Sequence, residues 1–592
     1  MSQIQSFPIF LPNRGQVLDK PAELLPQYFS PYSRNMELYD QLLQGRLGLT
    51  KFDTAVLSGR IMEIAQFKKF NGTRYLLFCT PKDIYSWDSG DARFDILTPV
   101  YTTGTIEVKT GELTKVYGTG TLWSANLKAG DFIKIGSGSV HTGSTWYTIQ
   151  TVDSNTLLTL TSSAPITAAS TAYVARQTFA GGDTDFWCAE QFMDAALGEV
   201  MLFTNGQDTP VRWTGTGQVA ALTGLPDTMK AKFVAVYKDR VQWINTIEGG
   251  SRQPQRVRWS DVANCQSYQA IDFHDFVDEN SSCVGAKIFS GYLIIFKEDT
   301  AYVGRWIGGT YIFDFDRADM CRGTFAAKSI IGKPDGIYYF GSDGKFRRFT
   351  PTSDDAIGQE NFNETRDFDP NFLQYIVGHD VKRKNQIRWH CPYGSTAKNN
   401  YTFVYDYKEG TVEPWEYAHP EACCSIGEFV RDSDLYVDDS VWGEYYLDEQ
   451  EGYWDDASVL SSAPVIIYGG YDGIVRISDV GLNDDGYAYM RRFRMTKLNF
   501  KMPDQVKRLW RQQWWLQASS GGSVTVKLRK DDNEGFEAQT KTILLDNSGK
   551  NRLKAMITWD KQAQNFQPEI ESSGHFALEG VINYVSRKGL SI

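Results

Sequence analysis

The feature that most constrains the fold is a hairpin unit that recurs through the middle of the chain. Each unit is a short apolar run, a turn, and a second run, as in 200–203 (VMLF), Asn205-Gly206 and 211–213 (VRW). Asn-Gly, Asp-Gly and Lys-Asp turns of this kind connect antiparallel strands. The seven units begin at residues 75, 200, 233, 292, 336, 401 and 465. Such repetition predicts a β-propeller of six to eight diverged blades, and the alternative is a set of unrelated β-sandwiches.

Other parts of the chain depart from this pattern and divide it into predicted domains. Residues 104–176 are rich in Thr and Ser and alternate in strand-like runs, which predicts a small β-barrel inserted in the propeller. Residues 488–592 alternate again with basic polar positions and predict a β-sandwich platform. The propeller is assigned to 51–103 and 177–487, and residues 1–50 to an extended, partly helical arm. The expected fold class is therefore all-β.

Charge is unevenly distributed along the chain. The net charge is −11 with a pI near 5.3, which is unlike a protein that grips nucleic acid through its phosphates. From residue 488 to the end, however, 18 Lys and Arg stand against 10 Asp and Glu. The C-terminal domain is thus predicted to be basic in an otherwise acidic protein.

Residues 431–460 are the acidic extreme, with ten Asp and Glu and Arg431 as the single base. Aromatic residues such as Trp442 and Tyr445 lie between the acids. Three interpretations stay open from the sequence: a carbohydrate or Ca²⁺ site, a solvated acidic loop, or a channel surface that repels DNA phosphates.

Motifs of catalysis and cofactor binding were sought in the sequence and not found. It has no P-loop, nucleophile elbow, zincin motif or EF-hand loop. His390 and Cys391 are adjacent, but neighbouring residues of a strand point to opposite faces. The turn at 341–344 (GSDG) resembles a sialidase Asp-box without its closing aromatic, and it is interpreted as a hairpin turn. The chain is predicted to be no enzyme and to bind no cofactor or metal.

The eight cysteines include no C-x-x-C pair and are interpreted as buried thiols in a reducing compartment. No secretory signal opens the chain, and no apolar run approaches the length of a membrane span. The protein is therefore expected to be made in a cytosol.

Several segments carry a resemblance to a known family. They are 11–15 (LPNRG), 21–26 (PAELLP), 233–241 (FVAVYKDRV), 256–264 (RVRWSDVAN) and 576–584 (FALEGVINY). With these the chain resembles bacteriophage virion proteins of the tail-nozzle and packaged-DNA-stabilisation hub family. After residue 264 that family usually continues Pro-Glu-Ser-Trp, whereas this chain continues CQSY.

The resemblance implies a structural subunit of the virion tail, synthesised in the host cytoplasm. Its partners would be further copies of itself in a homohexameric ring, the portal adaptor or head–tail connector, and tail fibres or a needle. Packaged DNA would pass through the ring on ejection without sequence-specific binding. A surplus of Tyr, Trp and Phe suits the side-to-side contacts of a ring.

The resemblance also suggests where functional residues lie. The basic sandwich is expected to dock on the adaptor through Lys507, Arg508 and Arg511. Acids of the 431–460 stretch are candidates for the channel lining or a gate. They are Asp438, Asp439, Glu444, Asp448, Glu449 and Glu451.

Two other functions are compatible with the same features. The first is a carbohydrate-binding or depolymerising propeller of a receptor-binding tail component, which would need an aromatic-lined pocket with convergent acids. The second is a structural protein at the tip of a longer tail, with the same fold and different rings.

Overall fold

The protein is all-β, as predicted, with 51% of the described residues in strands and 4% in helices. The computed structural model describes residues 4–10, 14–39, 42–309, 311–358, 361–430, 464–518, 522–531, 539–545 and 552–587. The described helical turns are Trp123–Asn126, Pro226–Thr228, Ala327–Ser329, Phe362–Thr365, Leu373–Tyr375 and Lys382–Lys384. Among the described residues, none of the helices has the length and apolar character that a bilayer crossing requires.

The chain forms two compact units, which are described separately. Unit 1 consists of Met1–Lys51, Thr324–Cys423 and Ile477–Ile592, and unit 2 of Phe52–Gly323 and Cys424–Arg476. Two short strands, Leu49–Lys51 and Val475–Ser478, lie at the borders between these segments.

Unit 2 contains four antiparallel sheets, each built from four consecutive strands, named here repeat sheets 1 to 4. Repeat sheet 1 consists of Glu63–Lys68, Arg74–Cys79, Ile84–Asp88 and Arg93–Ile96, and repeat sheet 2 of Cys188–Asp194, Gly198–Thr204, Val211–Trp213 and Ala220–Ala221. Repeat sheet 3 consists of Lys230–Tyr237, Arg240–Glu248, Ser251–Trp259 and Phe273–Asp275, and repeat sheet 4 of Cys283–Phe289, Tyr292–Lys297, Ala301–Trp306 and Phe313–Ala318. The strands Ser425–Val430 and Pro464–Gly469 pair as a further hairpin of this unit.

The predicted hairpins of these sheets follow from turn chemistry and apolar packing. Lys238 and Asp239 both have positive φ (51° and 55°) and join Tyr237 to Arg240 in a two-residue turn. Such turns twist in the sense that paired strands require. Repeat sheets 1 and 2 share one buried core, as do sheets 2 and 3 and sheets 3 and 4. Sheets that are consecutive in the sequence therefore pack face to face.

Residues 100–176 form a seven-stranded sheet with its own core around the buried Trp123. Its strands are Val100–Tyr101, Thr105–Glu107, Lys115–Thr119, Phe132–Ile135, Tyr147–Ser154, Leu157–Leu160 and Tyr173–Arg176. Ile106 and Thr171 exchange backbone hydrogen bonds of 2.8 and 3.1 Å, so the sheet curls back on itself. Arg176 Nε lies 3.3 Å from Asp83 Oδ1, which ties this insertion to repeat sheet 1.

Unit 1 contains two more four-stranded sheets, repeat sheets 5 and 6. Their strands are Ile331–Lys333, Gly336–Phe340, Phe346–Thr350 and Ser353–Ala356, then Val377–Val381, Gln386–Cys391, Tyr401–Asp406 and Thr411–Glu416. The two sheets share a core in which the rings of Phe346 and Phe403 stack at 4.2 Å.

The remaining strands of unit 1 form two sheets that share one apolar core, a β-sandwich. Its six-stranded sheet consists of Gln5–Phe10, Met36–Tyr39, Leu42–Gly45, Lys507–Ala518, Leu553–Ala563 and Phe576–Arg587. Its five-stranded sheet consists of Tyr32–Arg34, Arg491–Arg494, Gly522–Lys530, Gln539–Leu545 and Phe566–Ser572.

The sandwich differs from the sequence-based expectation at its N-terminal side. Residues 1–50 were expected to form a separate, partly helical arm, but their described part contains strands and no helix. The first strand, Gln5–Phe10, pairs with the last, Phe576–Arg587, in the register Ser6–Tyr584. Ile9, Met36 and Leu43 are buried in the sandwich core. Short strands whose partners lie far along the chain leave no local periodicity that would reveal the pairing.

A buried ion pair holds the N-terminal segment inside unit 1. The guanidinium of Arg46 donates to both carboxylate oxygens of Asp484, at 2.9 and 2.8 Å, and both side chains are almost fully buried. Arg46 also donates to Asn35 Oδ1 at 2.9 Å and lies 3.7 Å from the ring centroid of Tyr489. These contacts satisfy a charge that would otherwise be costly to bury.

Glu413, another buried acid of unit 1, has fewer contacts that offset the cost of burying its charge. Glu413 Oε1 accepts a hydrogen bond from the backbone N–H of Leu38 at 3.0 Å, while Oε2 has no hydrogen-bond partner among the described residues. The nearby Glu37 carboxylate binds Lys384 Nζ at 3.0 Å. Burial, followed by repulsion from Glu37, raises the pKa of Glu413 well above its usual value.

The pairing of the first strand predicts that Ile9→Ala destabilises the sandwich. Loss of this buried side chain should lower the free energy of unfolding by about 2–5 kcal/mol. Hydrogen exchange of the last strand should also become faster. The control is Ile4→Ala, because Ile4 is 52% exposed. Equal effects of the two substitutions would contradict the pairing.

The environment of Glu413 predicts that Glu413→Gln stabilises the protein at neutral pH. A raised folded pKa gives stability that is present below the unfolded value and is lost as the pH rises through the folded value. The amide cannot ionise, so its advantage should be present at pH 7 and absent near pH 4. Urea unfolding at both pH values measures this. Glu409→Gln, on an exposed turn, is the control and should change stability at neither pH.

Candidate docking face

The outer surface of the six-stranded sheet is the strongest candidate for a functional site. Its long strand, Lys507–Ala518, lies between Leu553–Ala563 and Phe576–Arg587. Directly opposed residues of an antiparallel pair point to the same side of the sheet. Three rows result: Thr558–Arg511–Tyr584, Met556–Gln513–Ile582 and Lys554–Trp515–Gly580.

The first strand extends two of these rows. Ser6 lies opposite Tyr584, and Pro8 lies opposite Ile582. We call this surface the docking face. Its side chains are Ser6, Pro8, Arg511, Gln513, Trp515, Lys554, Met556, Thr558, Ile582 and Tyr584.

Strand alternation separates the docking face from the core behind it. The adjacent residues Trp514 and Trp515 divide between the two sides. Trp514 is fully buried with Val581 and Ile9 in the sandwich core. Trp515 is only partly covered, and Met556 beside it is 47% exposed. The sheet therefore presents aromatic and apolar side chains to its surroundings.

Two cations of the docking face lie over aromatic rings. The guanidinium carbon of Arg511 is 4.6 Å from the ring centroid of Tyr584, and Lys554 Nζ is 5.2 Å from that of Trp515. The Tyr584 hydroxyl donates a hydrogen bond of 3.3 Å to Gln513 Oε1. Cation–π contacts of this kind orient the charges without neutralising them.

Other cations near the docking face are neutralised within the chain. Arg508 forms a hydrogen-bonded ion pair with Asp560, which raises the pKa of the guanidinium and lowers that of the carboxyl. Arg552 Nε donates to Glu579 Oε1 at 2.7 Å. By contrast, Arg511 and Lys554 form no ion pair with any residue that the structure describes. Positive charge available to a partner is therefore concentrated on these two side chains.

Of the three predicted docking residues, one is buried, one is paired within the chain and one lies on the docking face. Lys507 points inward with Leu509 and is fully buried, and its Nζ donates to the carbonyl oxygen of Met502 at 2.5 Å. Burial lowers the pKa of this amine. Arg508 points outward but is paired with Asp560, and Arg511 lies on the docking face. Lys507 is thus not available to a partner, and docking through the other two stays a prediction.

The predicted gate residues cannot be placed in the same way. Asp438, Asp439, Glu444, Asp448, Glu449 and Glu451 lie outside the described residues. Sequence analysis also missed Trp515, Lys554, Met556 and Tyr584. The alternation of 511, 513 and 515 was visible, but the register that sets the other strands beside them was not.

Groups suited to metal binding were sought across the described residues. No three His, Cys, Asp or Glu side chains there are close enough together to hold a metal ion. Asp343, from the turn that resembles an Asp-box, accepts a hydrogen bond from Arg347 at 2.9 Å. The buried His390 has Nδ1 2.6 Å from Thr402 Oγ1. Both side chains are engaged in contacts within their own sheets.

Comparison with known proteins adds little to this geometry. No family model matches the chain, and no curated protein matches it. The computationally designed Ika8 protein is 9% identical, with a TM-score of 0.34 over 73% of this chain and 100% of its own. An exo-β-1,3-galactanase from Phanerochaete chrysosporium with galactose is 10% identical, with a TM-score of 0.21 over 81% and 96%. Likenesses with such low TM-scores carry no argument about fold or function.

The geometry of the docking face predicts a pattern of lysine labelling. In the folded protein an N-hydroxysuccinimide ester should modify Lys554 and leave Lys507 unmodified, because the amine of Lys507 is buried and hydrogen-bonded. Peptide mass spectrometry measures both sites. In the denatured control both lysines should react. Equal modification of the two in the folded protein would contradict this placement.

Proposed function

We propose that the chain is a structural, non-enzymatic subunit of a bacteriophage tail that forms a nozzle or hub ring beneath the portal and its adaptor. The observation that carries this proposal is the docking face, a sheet surface of partly exposed aromatic and apolar side chains with two cations that have no acidic partner among the described residues. Aromatic residues, Met and Arg are enriched in protein–protein interfaces. The sequence resemblance to tail-nozzle and hub proteins supplies the context of a virion.

The proposed architecture includes a β-propeller made from the repeated sheets. Six sheets of four strands follow one another in the sequence, and the hairpin of Ser425–Val430 and Pro464–Gly469 starts a seventh. Consecutive strands within each sheet and face-to-face packing of successive sheets in unit 2 support blades of a propeller. The proposed propeller would have seven blades, within the range of six to eight that the hairpin count predicts. Such blades would carry the ring's channel, through which packaged DNA is retained and later conducted.

A ring subunit needs a surface that is hydrated before assembly and that binds a partner during assembly. The docking face meets both needs, because its charges keep it hydrated and its Trp515, Met556 and Ile582 side chains offer area to a partner. A contact between different surfaces of successive components also suits ring and stack assembly. The portal adaptor is the partner we assign to it.

The proposal predicts assembly that electron microscopy can observe. Purified chain mixed with a phage portal–adaptor complex should form six-fold rings with a central channel on the adaptor. Arg511→Glu with Trp515→Ser should abolish joining to the adaptor while leaving the thermal unfolding temperature nearly unchanged. Lys541→Glu, on the five-stranded sheet, is the control and should still assemble. A persistent monomer that ignores the adaptor would contradict the proposal.

A further inference from the structure

We infer that the docking face binds an acidic protein surface, with one carboxylate received by Arg511 and a second by Lys554. This inference rests on the proposed function, because it names the chemistry of the partner at the same face. It goes further because it assigns the two residues that bind the partner's carboxylates and gives the distance between those carboxylates.

Charge complementarity carries the first step. Two cations beside the face, Arg508 and Arg552, already pair with Asp560 and Glu579. Arg511 and Lys554 are left without an acidic partner among the described residues, each over an aromatic ring. A stacked guanidinium still offers its outer N–H groups to a carboxylate, in a fork that donates one hydrogen bond to each oxygen.

The register of the strands gives the second step. Arg511 lies opposite Thr558, and Lys554 is four residues along the same strand as Thr558. Four residues of extended chain span about 13 Å. Because Arg511 and Lys554 are on neighbouring strands about 5 Å apart, the two carboxylates of the partner should lie roughly 14 Å apart.

The row between the two cations distinguishes a protein from a nucleic acid. It consists of Met556, Gln513 and Ile582, and Gln513 is already bonded to Tyr584. An acidic protein surface can cover the apolar side chains of this row with an apolar stripe between its two acids. A phosphate backbone has no apolar side chains and would leave the row exposed to water. Each strand of a duplex carries one phosphate for about every 3.4 Å of helix axis, and specific binders neutralise many of them.

The test measures binding of the full chain to two immobilised probes, poly-L-glutamate and a short duplex DNA, by surface plasmon resonance at low ionic strength. Arg511→Gln with Lys554→Gln should weaken binding to poly-L-glutamate about tenfold. The charge-matched control is Lys530→Gln with Lys541→Gln on the five-stranded sheet, which should bind as the parent does. Arg511→Lys, which keeps the charge but loses the fork, should bind less tightly than the parent and more tightly than the double Gln variant.

Each other outcome overturns the inference. Equal weakening in the charge-matched control would show attraction to overall charge rather than to this face. No binding to poly-L-glutamate, or tighter binding to the duplex, would remove the acidic protein partner. If the chain still forms rings on the adaptor in those cases, the proposed function stands and only the partner chemistry fails. Loss of poly-L-glutamate binding together with loss of ring formation would overturn both the inference and the proposed function.

Discussion

The buried ion pair of Arg46 with Asp484 is the interaction on which much of unit 1 depends. Arg46 takes part in contacts with Asn35, with the carbonyl oxygen of Glu416 and with the ring of Tyr489, so three distant stretches of the unit meet at one guanidinium. An unpaired charge at this buried position would strongly destabilise the fold. Removing one partner of a buried pair costs about 3–5 kcal/mol. The pair therefore fixes the path of the N-terminal segment as well as contributing stability.

That path matters because the N-terminal segment helps to build both sides of the sandwich. Ile9 faces the core, while Ser6 and Pro8 from the same strand extend the docking face. Met36 and Leu43, from the next two strands of the six-stranded sheet, also face the core. The position of the docking face thus follows from contacts on its far side.

Local features of the fold could be predicted from the sequence. The all-β class and the Lys238-Asp239 turn follow from patterns within about ten residues, and the structure contains both. Features that depend on distant pairing could not be predicted. The first strand has six residues and its partner begins at residue 576, so no window of sequence contains both. The side of a strand to which Lys507 points depends on a single position of register, and a shift of one residue exchanges the two faces.

The place of the last strand has a consequence for the order in which this protein can mature. Phe576–Arg587 lies between Lys507–Ala518 on one side and the two N-terminal strands Gln5–Phe10 and Leu42–Gly45 on the other. At about 5–20 residues per second, a ribosome needs roughly half a minute to two minutes to pass from the first strand to the last. Throughout that time the strands of Ile9 and Leu43 lack the last strand, with which they finally pair. A chain released before residue 576 would lack the strand that joins the two ends of the sheet, so an incomplete chain cannot close it.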